Sequence, residues 1–580
     1  MKIVRLTIKN FRGVKNAKLY FDGHTVIVGD NNVGKSTVLE AIDLTLGPER
    51  LTKYQVIDEH DFYAGEYLDS KNEPIPIEIE TTITDLNEEQ LRFFGNNIEW
   101  WDSLSETVIE NPPAKATDQD HVSPALRVYF KGWYDKDEDD FICRTYFCSP
   151  VLDGGEQSIF STKDKRECGF IYLRTLRTGS RALSLERGSL LDIILRLMER
   201  RPQMWEAILN QLRGIAVAED PELGISDVLT NIQTAVREIV PVEWVENPKL
   251  RVSDLTREHL RRILTMFIGT GVKTSAGEDY SAPFQHQGTG TINALVLVLL
   301  SMIAELKQNV IFAMEEPEIA IPPYTQKRII SSITEKSHQA LFTSHSPYVL
   351  EEFNPSQILV LKRDKNGTLS GMYATPPVKP KRYKEEFRKK FCEGLLARRV
   401  IIAEGRTEYD AFPACARKLS AIDSPNYKSF DALGVAIINA ETDSQVAPIG
   451  EFYKKLGKEV FAVFDKQSAE SLAAINAAVT HAFEAPEQGF ENVIINGTPV
   501  GILRSYALSL VANKDWPTHY GITPAEDSTD DEIKDMVRKF LKDRKGSGEA
   551  ADLLLTCGRK EDMPTFIVET IKSIKDTIEA

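Results

Sequence analysis

The sequence has no apolar run of 18 or more residues, the length a membrane-crossing helix needs, so no membrane span is expected. Its first residues, MKIVRLTIKNFRG, lack the apolar core and small-residue cleavage site of a secretion signal. Cysteine is scarce: Cys143, Cys148, Cys168, Cys392, Cys415 and Cys557 form no C-x-x-C pair, which excludes that type of zinc site and fits reduced thiols in a cytoplasmic protein. An excess of positive charge is also missing. With a formal net charge of −16 the chain repels a polyanion on average, so contact with nucleic acid has to come from local basic patches. Internal repeats and long low-complexity tracts are absent. What remains is an ordinary globular composition, 42% hydrophobic and 27% charged, over 580 residues; that is too long for one compact core, and two or more domains are expected.

Residues 2–21 alternate apolar and polar side chains around the turn Asn10-Phe11-Arg12-Gly13, which predicts two strands. A third apolar run, 25–28, leads into Gly29-Asp30-Asn31-Asn32-Val33-Gly34-Lys35-Ser36 and then a helix that stops at Gly47-Pro48. The octet fits G-x-x-x-x-G-K-[ST] completely, in the strand-to-helix setting that pattern requires. Gly29 and Gly34 let backbone N–H groups approach phosphates, the helix amino terminus favours their charge, Lys35 reaches the terminal phosphates and Ser36 can ligate magnesium. Asn32 and Thr37 complete the candidate nucleotide-binding set, for which ATP with Mg²⁺ is the expected ligand.

Further on, residues 75–83 predict a strand in which Pro76 hints at a sheet edge, and 110–125 read as a long exposed loop. Residues 188–240 have helical periodicity, with Leu190, Leu191, Ile194, Leu195 and Met198 on one stripe, then Ile208, Leu212, Ile232 and Val236. Either a packed core helix pair or a dimerisation arm accounts for it. An apolar helix at 293–306 precedes a strand at 310–314 that runs into Glu315 and Glu316, a Walker B segment. Glu315 would hold magnesium through water, and Glu316 would orient or deprotonate the attacking water. This segment follows the P-loop by about 280 residues and precedes Ser344-His345-Ser346-Pro347 by about 30, in the expected order.

The pattern changes at 376–399 (PPVKPKRYKEEFRKKFCEGLLARR), a basic, proline-led connector that is either a solvated linker or a strip that tracks DNA phosphates. Beyond it, 400–403, 436–438 and 460–464 are short buried-type strands separated by helical stretches, the pattern of a small parallel α/β domain. The tail, 532–542 and 550–555, is helical. Glu404 stands at a strand end, a glycine turn follows, and Glu408 comes one helical turn later, so both carboxylates can face one pocket. With Asp465 at the end of another strand, the domain offers oxygen ligands suited to Mg²⁺ or Mn²⁺. Two such ions would clamp a phosphodiester between attacking water and leaving oxygen.

Taken together these motifs resemble the ABC ATPases of the SMC and RecF kind, and in particular the overcoming-lysogenization-defect (OLD) family, in which such a head is joined to a Toprim domain. The resemblance implies an α/β chain: an ABC-type P-loop ATPase domain at 1–375 with a helical dimerisation insert at about 188–250, the connector at 376–399, and a Toprim nuclease domain at 400–580 with a helical C-terminal part. It puts Gln287-Gly288-Thr289-Gly290 at the signature position, where Leu-Ser-Gly-Gly-Gln is usual, and makes His345 the switch histidine that contacts the γ-phosphate. It makes Glu491 a further acidic metal ligand and Lys545 the basic residue that steadies the scissile phosphate or leaving oxygen. One departure is plain: the second Toprim motif, usually Asp-x-Asp, reads Asp465-Lys466-Gln467, so an amide replaces a charge and one metal position is weakened. The implied function is an ATP-regulated, metal-dependent DNA endonuclease or nickase tied to anti-phage defence. It would act as a homodimer or homotetramer, alone or beside a helicase or reverse-transcriptase element. The competing reading is a nucleotide-dependent DNA-binding sensor or scaffold. A topoisomerase or primase would share only the Toprim motif.

Overall fold

The computed structural model describes residues 1–48, 56–109, 121–151, 157–173, 183–186, 189–198, 201–213, 225–238, 256–306, 310–319, 322–375 and 388–580. The chain divides into two compact units. One comprises Met1–Arg12, Tyr20–His24 and Ser36–Thr343; the other comprises Gly13–Leu19, Thr25–Lys35 and Ser344–Ala580. Among the described residues no helix is long and apolar enough to cross a membrane.

In the first unit the strand Lys2–Phe11 pairs antiparallel with Ile77–Thr84, whose other side pairs antiparallel with Val122–Asp135. The expected edge strand is therefore an inner one. Pro76 is compatible with this because it precedes the first paired residue, where no N–H is needed for the ladder. Val122–Asp135 also corrects the expected loop at 110–125: its last residues already belong to this strand, and 110–120 lie outside the described residues. A parallel set runs Phe170–Leu173, Ile311–Glu315, Gln339–Thr343. Such strands are covered on both faces and read as near-continuous apolar runs. Gln339 is a polar residue among them with no exposed surface. Its Oε1 accepts from the Ile3 N–H at 2.7 Å, and its Nε2 donates to the carbonyls of Ile3 at 3.0 Å and Gly23 at 3.1 Å. One side-chain amide thus binds backbone groups of the amino-terminal strand and of the turn at Gly23.

The helical stretch resolves into Leu190–Leu197, Arg201–Arg213 and Ile225–Arg237. Leu190 and Ile194 are buried, and Trp205 and Leu209 pack with Leu260, so the first two helices are core. On the third, Val228 is 56% and Ile232 47% exposed.

In the second unit the strand Thr25–Val28 lies parallel to Ile358–Arg363, which forms a hairpin with Thr368–Tyr373. The second sheet is parallel, in the order Val435–Asn439, Arg399–Ala403, Glu459–Phe464, His481–Glu484; its last strand was not foreseen from the sequence. Val400, Ile401, Ile402 and Val460 to Phe464 have no exposed surface, because helices cover both faces. Arg406–Ile422 packs on Glu549–Thr556 and Thr565–Glu579 around one core that includes Phe412, Leu419, Ile533, Phe540, Leu554 and Ile571. Of the basic run, 376–387 lie outside the described residues, and Arg388–Leu396 is a helix leading into the strand Arg399–Ala403.

Gln339→Leu removes three hydrogen bonds and leaves the Ile3 amide buried and unpaired. The expected loss is about 2–4 kcal/mol, read as a lowered urea midpoint with an unchanged slope.

Candidate nucleotide and metal sites

The P-loop folds as its residues dictate. Gly29 and Gly34 adopt φ of +154° and +121°, and Asn32, a residue type that tolerates the left-handed region, sits at +62°. A Cβ at Gly29 would stand 2.8 Å from the Leu361 carbonyl oxygen, so the loop closes only with glycine there. Lys35 is 8% exposed, and its Nζ donates to the carbonyls of Gly29 at 2.9 Å and Asp30 at 3.0 Å, folding the side chain back over the loop. In the same unit His345 is exposed, and it lines a cavity of about 1010 Å³ with Gly29, Asp30 and Asn31. The cavity is also lined by Arg398, Tyr409, Asp410 and Arg417.

The other unit carries the rest of the expected nucleotide set. Ser36 and the buried Thr37 lie in the first turn of the helix Lys35–Leu46. Glu315 ends its strand and accepts a hydrogen bond from the Tyr172 hydroxyl. Glu316 turns the chain at φ +45°, a costly conformation for a side chain with a Cβ, and its N–H donates to the Thr343 carbonyl at 2.9 Å. Gln287 and Gly288 stand just before the helix Thr289–Leu306.

The acidic cluster lies wholly within the second unit. Arg399–Ala403 and Glu459–Phe464 are adjacent parallel strands in register, Ala403 beside Val463, so the residues that follow them emerge side by side. Glu404 donates its N–H to the Val463 carbonyl at 3.0 Å, and its Oε2 accepts from the Asp465 N–H at 2.9 Å. Gly405 caps the helix Arg406–Ile422, where a Cβ would lie 2.9 Å from Glu408 Oε2; the absence of that carbon lets the Glu408 carboxylate fold back onto the turn. Glu408 is 2% exposed. Its Oε2 and Asp465 Oδ1 are buried with no hydrogen-bond partner, while Asp465 Oδ2 accepts from the Gly489 N–H at 3.0 Å.

Glu491, in the first turn of Phe490–Gly497, is buried rather than an exposed helix-start residue. Its Oε1 accepts from the Thr407 hydroxyl at 2.9 Å and stands 3.5 Å from Lys545 Nζ. Lys545 itself is half-exposed. Burial raises the carboxyl pKa values of Glu404, Glu408 and Asp465, mutual repulsion adds to the rise, and Lys545 opposes it at each. Glu408 is pushed up to about 8, by burial first and then by Asp465 and Glu404.

The structure therefore brings Glu404, Glu408, Asp465, Glu491 and Lys545 to one place. Among the described residues no three His, Cys, Asp or Glu side chains already form a coordination shell. The donors explain why: Gln467 Nε2 donates to Glu404 Oε2 at 3.0 Å, and Thr407 and Lys545 hold Glu491. Even so, the residues fit a hard cation, since two buried carboxylate oxygens have nothing else to bind. Three participants escaped the sequence reading. Thr407 holds Glu491, Gly489 holds Asp465 through its amide, and Glu484 accepts from the Gln467 N–H at 2.8 Å. Thr407 alone carried a signal, as the hydroxyl inside the Glu404–Glu408 turn.

Because the folded-state pKa of Glu408 lies above that of the unfolded chain, it contributes stability at low pH that is lost as the pH climbs through about 8. Glu404 and Asp465 shift in the same direction. In EDTA, Glu408→Gln should melt near wild type at pH 5 and well above it at pH 9, each pKa unit being worth about 1.4 kcal/mol. Saturating Mn²⁺ should reverse the order at pH 9 by stabilising the wild type; a melting difference that ignores pH and metal would refute the assignment.

Comparison with known proteins gives two family matches. The profile of the AAA ATPase domain family matches residues 1–141 and 197–350, together about half of the chain. A second profile, overcoming lysogenization defect protein-like TOPRIM domain, matches 395–466. The OLD nuclease of Thermus scotoductus is 21% identical over 434 residues, 69% of this chain and 71% of that protein. The Old nuclease of Escherichia phage P2 is 19% identical over 451 residues, 72% of this chain and 70% of that protein. Among solved structures, the SMC head domain from Thermotoga maritima is 12% identical, covering 65% of this chain and all of its own, at a TM-score of 0.30. The chain belongs to the AAA ATPase domain family and carries an OLD-like TOPRIM domain.

Proposed function

We propose that this protein is an ATP-regulated, divalent-metal-dependent DNA endonuclease or nickase. The observation that carries this reading is the pair of buried, partnerless oxygens on Glu408 and Asp465 inside an acidic cluster that faces Lys545. The two relatives named as nucleases support it. Glu404, Glu408 and Asp465, with Glu491 beside them, are the ligands we assign to Mg²⁺ or Mn²⁺. When bound, the ion supplies charge that polarises a phosphodiester and acidifies water. Glu408, protonated near neutral pH, has to release its proton on taking that role, so metal uptake is coupled to proton release. Lys545 is exposed enough to reach a phosphate oxygen and offset the charge that develops on the leaving group.

On the nucleotide side, Gly29, Asn32, Gly34, Lys35, Ser36 and Thr37 would hold ATP phosphates. Glu315 and Ser36 would hold its magnesium, Glu316 would orient the water, and His345 would sense the γ-phosphate. We assign the ATPase part to 1–375, the connector to 376–399 and the nuclease part to 400–580. The exposed apolar residues of Ile225–Arg237 support a dimerising role for the insert, in a homodimer or homotetramer. DNA is the partner, and anti-phage defence, with or without a helicase or reverse-transcriptase element, is the setting the OLD resemblance favours.

One observation favours a second reading, a DNA-binding sensor with a weakened site: the Gln467 amide occupies Glu404 Oε2, an oxygen the metal would need. Supercoiled plasmid with Mg²⁺ or Mn²⁺, with and without ATP, separates the two. Nicking that falls at least about 100-fold in Glu404→Ala supports the nuclease, and Lys35→Ala should cut but no longer respond to ATP. Wild type that binds DNA and cuts none under any condition would leave the sensor reading. Gln467→Asp restores the missing charge, so half-maximal cleavage should need several-fold less metal, measured by titrating Mn²⁺.

A further inference from the structure

Arg398 and Arg399, at the end of the basic run, take no part in the chemistry above. Both line a cavity of about 320 Å³ together with Asp30, Lys362, Arg363 and Lys458. Two of these cations are engaged: Arg399 Nε donates to Glu459 Oε2 at 2.9 Å, and Arg363 Nη1 donates to the Gly13 carbonyl at 2.9 Å. Lys362, Arg398 and Lys458 remain facing the cavity.

Lys458 is 8% exposed and has no ion-pair partner among the described residues. Its stem is buried while its ammonium opens onto the cavity without such a partner, and a cation stripped of much of its water is stabilised by an anion brought to it. Its neighbours make matters worse. At Gly457 the backbone is left-handed, φ +81°, and Lys362 lies so close that a Cβ there would meet Lys362 Cδ at 2.7 Å and Nζ at 3.0 Å. The turn therefore stacks one ammonium chain against the residue next to another. Burial lowers the Lys458 pKa; Asp30 works against that, and Lys35 repels it further. Five cations against the two carboxylates of Asp30 and Glu459 leave the cavity wall with an excess of positive charge, which calls for an anion.

We propose that this cavity is a binding site for a phosphate-class anion, held by Lys458, Arg398 and Lys362, beside the P-loop cradle and separate from it. The volume is near the lower end for small-molecule sites, about 300 Å³, and suits inorganic phosphate or pyrophosphate rather than a whole nucleotide. Asp30 lines both this cavity and the larger one beside the P-loop, so phosphate released by hydrolysis and the tail of an intact nucleotide are the two sources. Lys458 and Asp465 flank the same strand, Glu459–Phe464, so an anion here sits at the opposite end of that strand from the acidic cluster. The proposal does not depend on the nuclease reading.

Calorimetric titration of the full chain tests it in a Lys35→Ala background, which disables the P-loop. The probes are inorganic phosphate, pyrophosphate and ATP. Pyrophosphate should still bind, at least about tenfold more weakly with Lys458→Met added and near its original affinity with Lys458→Arg. Arg398→Ser and Lys362→Ser should each weaken it several-fold, and they decide the matter if Lys458→Met fails to fold. Lys458-dependent binding of ATP but of neither inorganic probe would assign the site to a nucleotide tail. Binding of none of the three, or binding indifferent to all three lysine and arginine substitutions, overturns the proposal. So does Lys458-dependent binding of a short duplex DNA without binding of the small anions.

Discussion

Repulsion among buried carboxylates is the constraint on which the second unit depends. Glu404, Glu408 and Asp465 crowd the carboxyl ends of two neighbouring parallel strands, where loss of water first and neighbouring carboxylates second disfavour their ionised forms, and Glu491 lies beside them. The fold tolerates this because a parallel sheet surrounded by helices delivers donors to the same place. The Asp465 N–H serves Glu404, the Gly489 N–H serves Asp465, and the Thr407 hydroxyl serves Glu491. Lys545 is the cation common to the set. An apolar core of isoleucine, valine and phenylalanine behind the strands keeps these donors and acceptors in register, since slipping by one residue would turn the carboxylates into the core.

The features legible in the sequence are those whose geometry is local. A glycine octet between a strand and a helix specifies its own loop, because the positive φ angles at Gly29 and Gly34 and the close approach to Leu361 leave no room for a Cβ. The Glu404–Glu408 turn is equally local: strand end, glycine, one helical turn. The apolar strands at 400–403 and 460–464 were visible for the same reason, as short continuous apolar runs.

What stayed hidden depends on pairings between residues far apart in the chain. Gln339 reaches Ile3 across 336 positions, and Thr407 reaches Glu491 across 84. A glutamine in an apolar strand or a glutamate at a helix start reads the same in the local pattern whether or not a partner waits. The strand His481–Glu484 was missed because it is short and only half-buried, with none of the apolar density of its neighbours. The burial of Lys458 leaves no mark in the sequence, and only the cavity beside it gives that burial a meaning.

Gln467 brings local and distant effects together. An aspartate there would add another carboxylate to a cluster already held above its usual pKa range, and the unliganded protein would bear that repulsion. The amide instead donates to Glu404 while its own backbone N–H is held by Glu484, so the loop is ordered before any ion arrives. The exchange has a definite sign: the unliganded fold gains a hydrogen bond, and any cation bound through Glu404 would have to displace it, at a cost of roughly tenfold in affinity for every 1.4 kcal/mol the bond contributes.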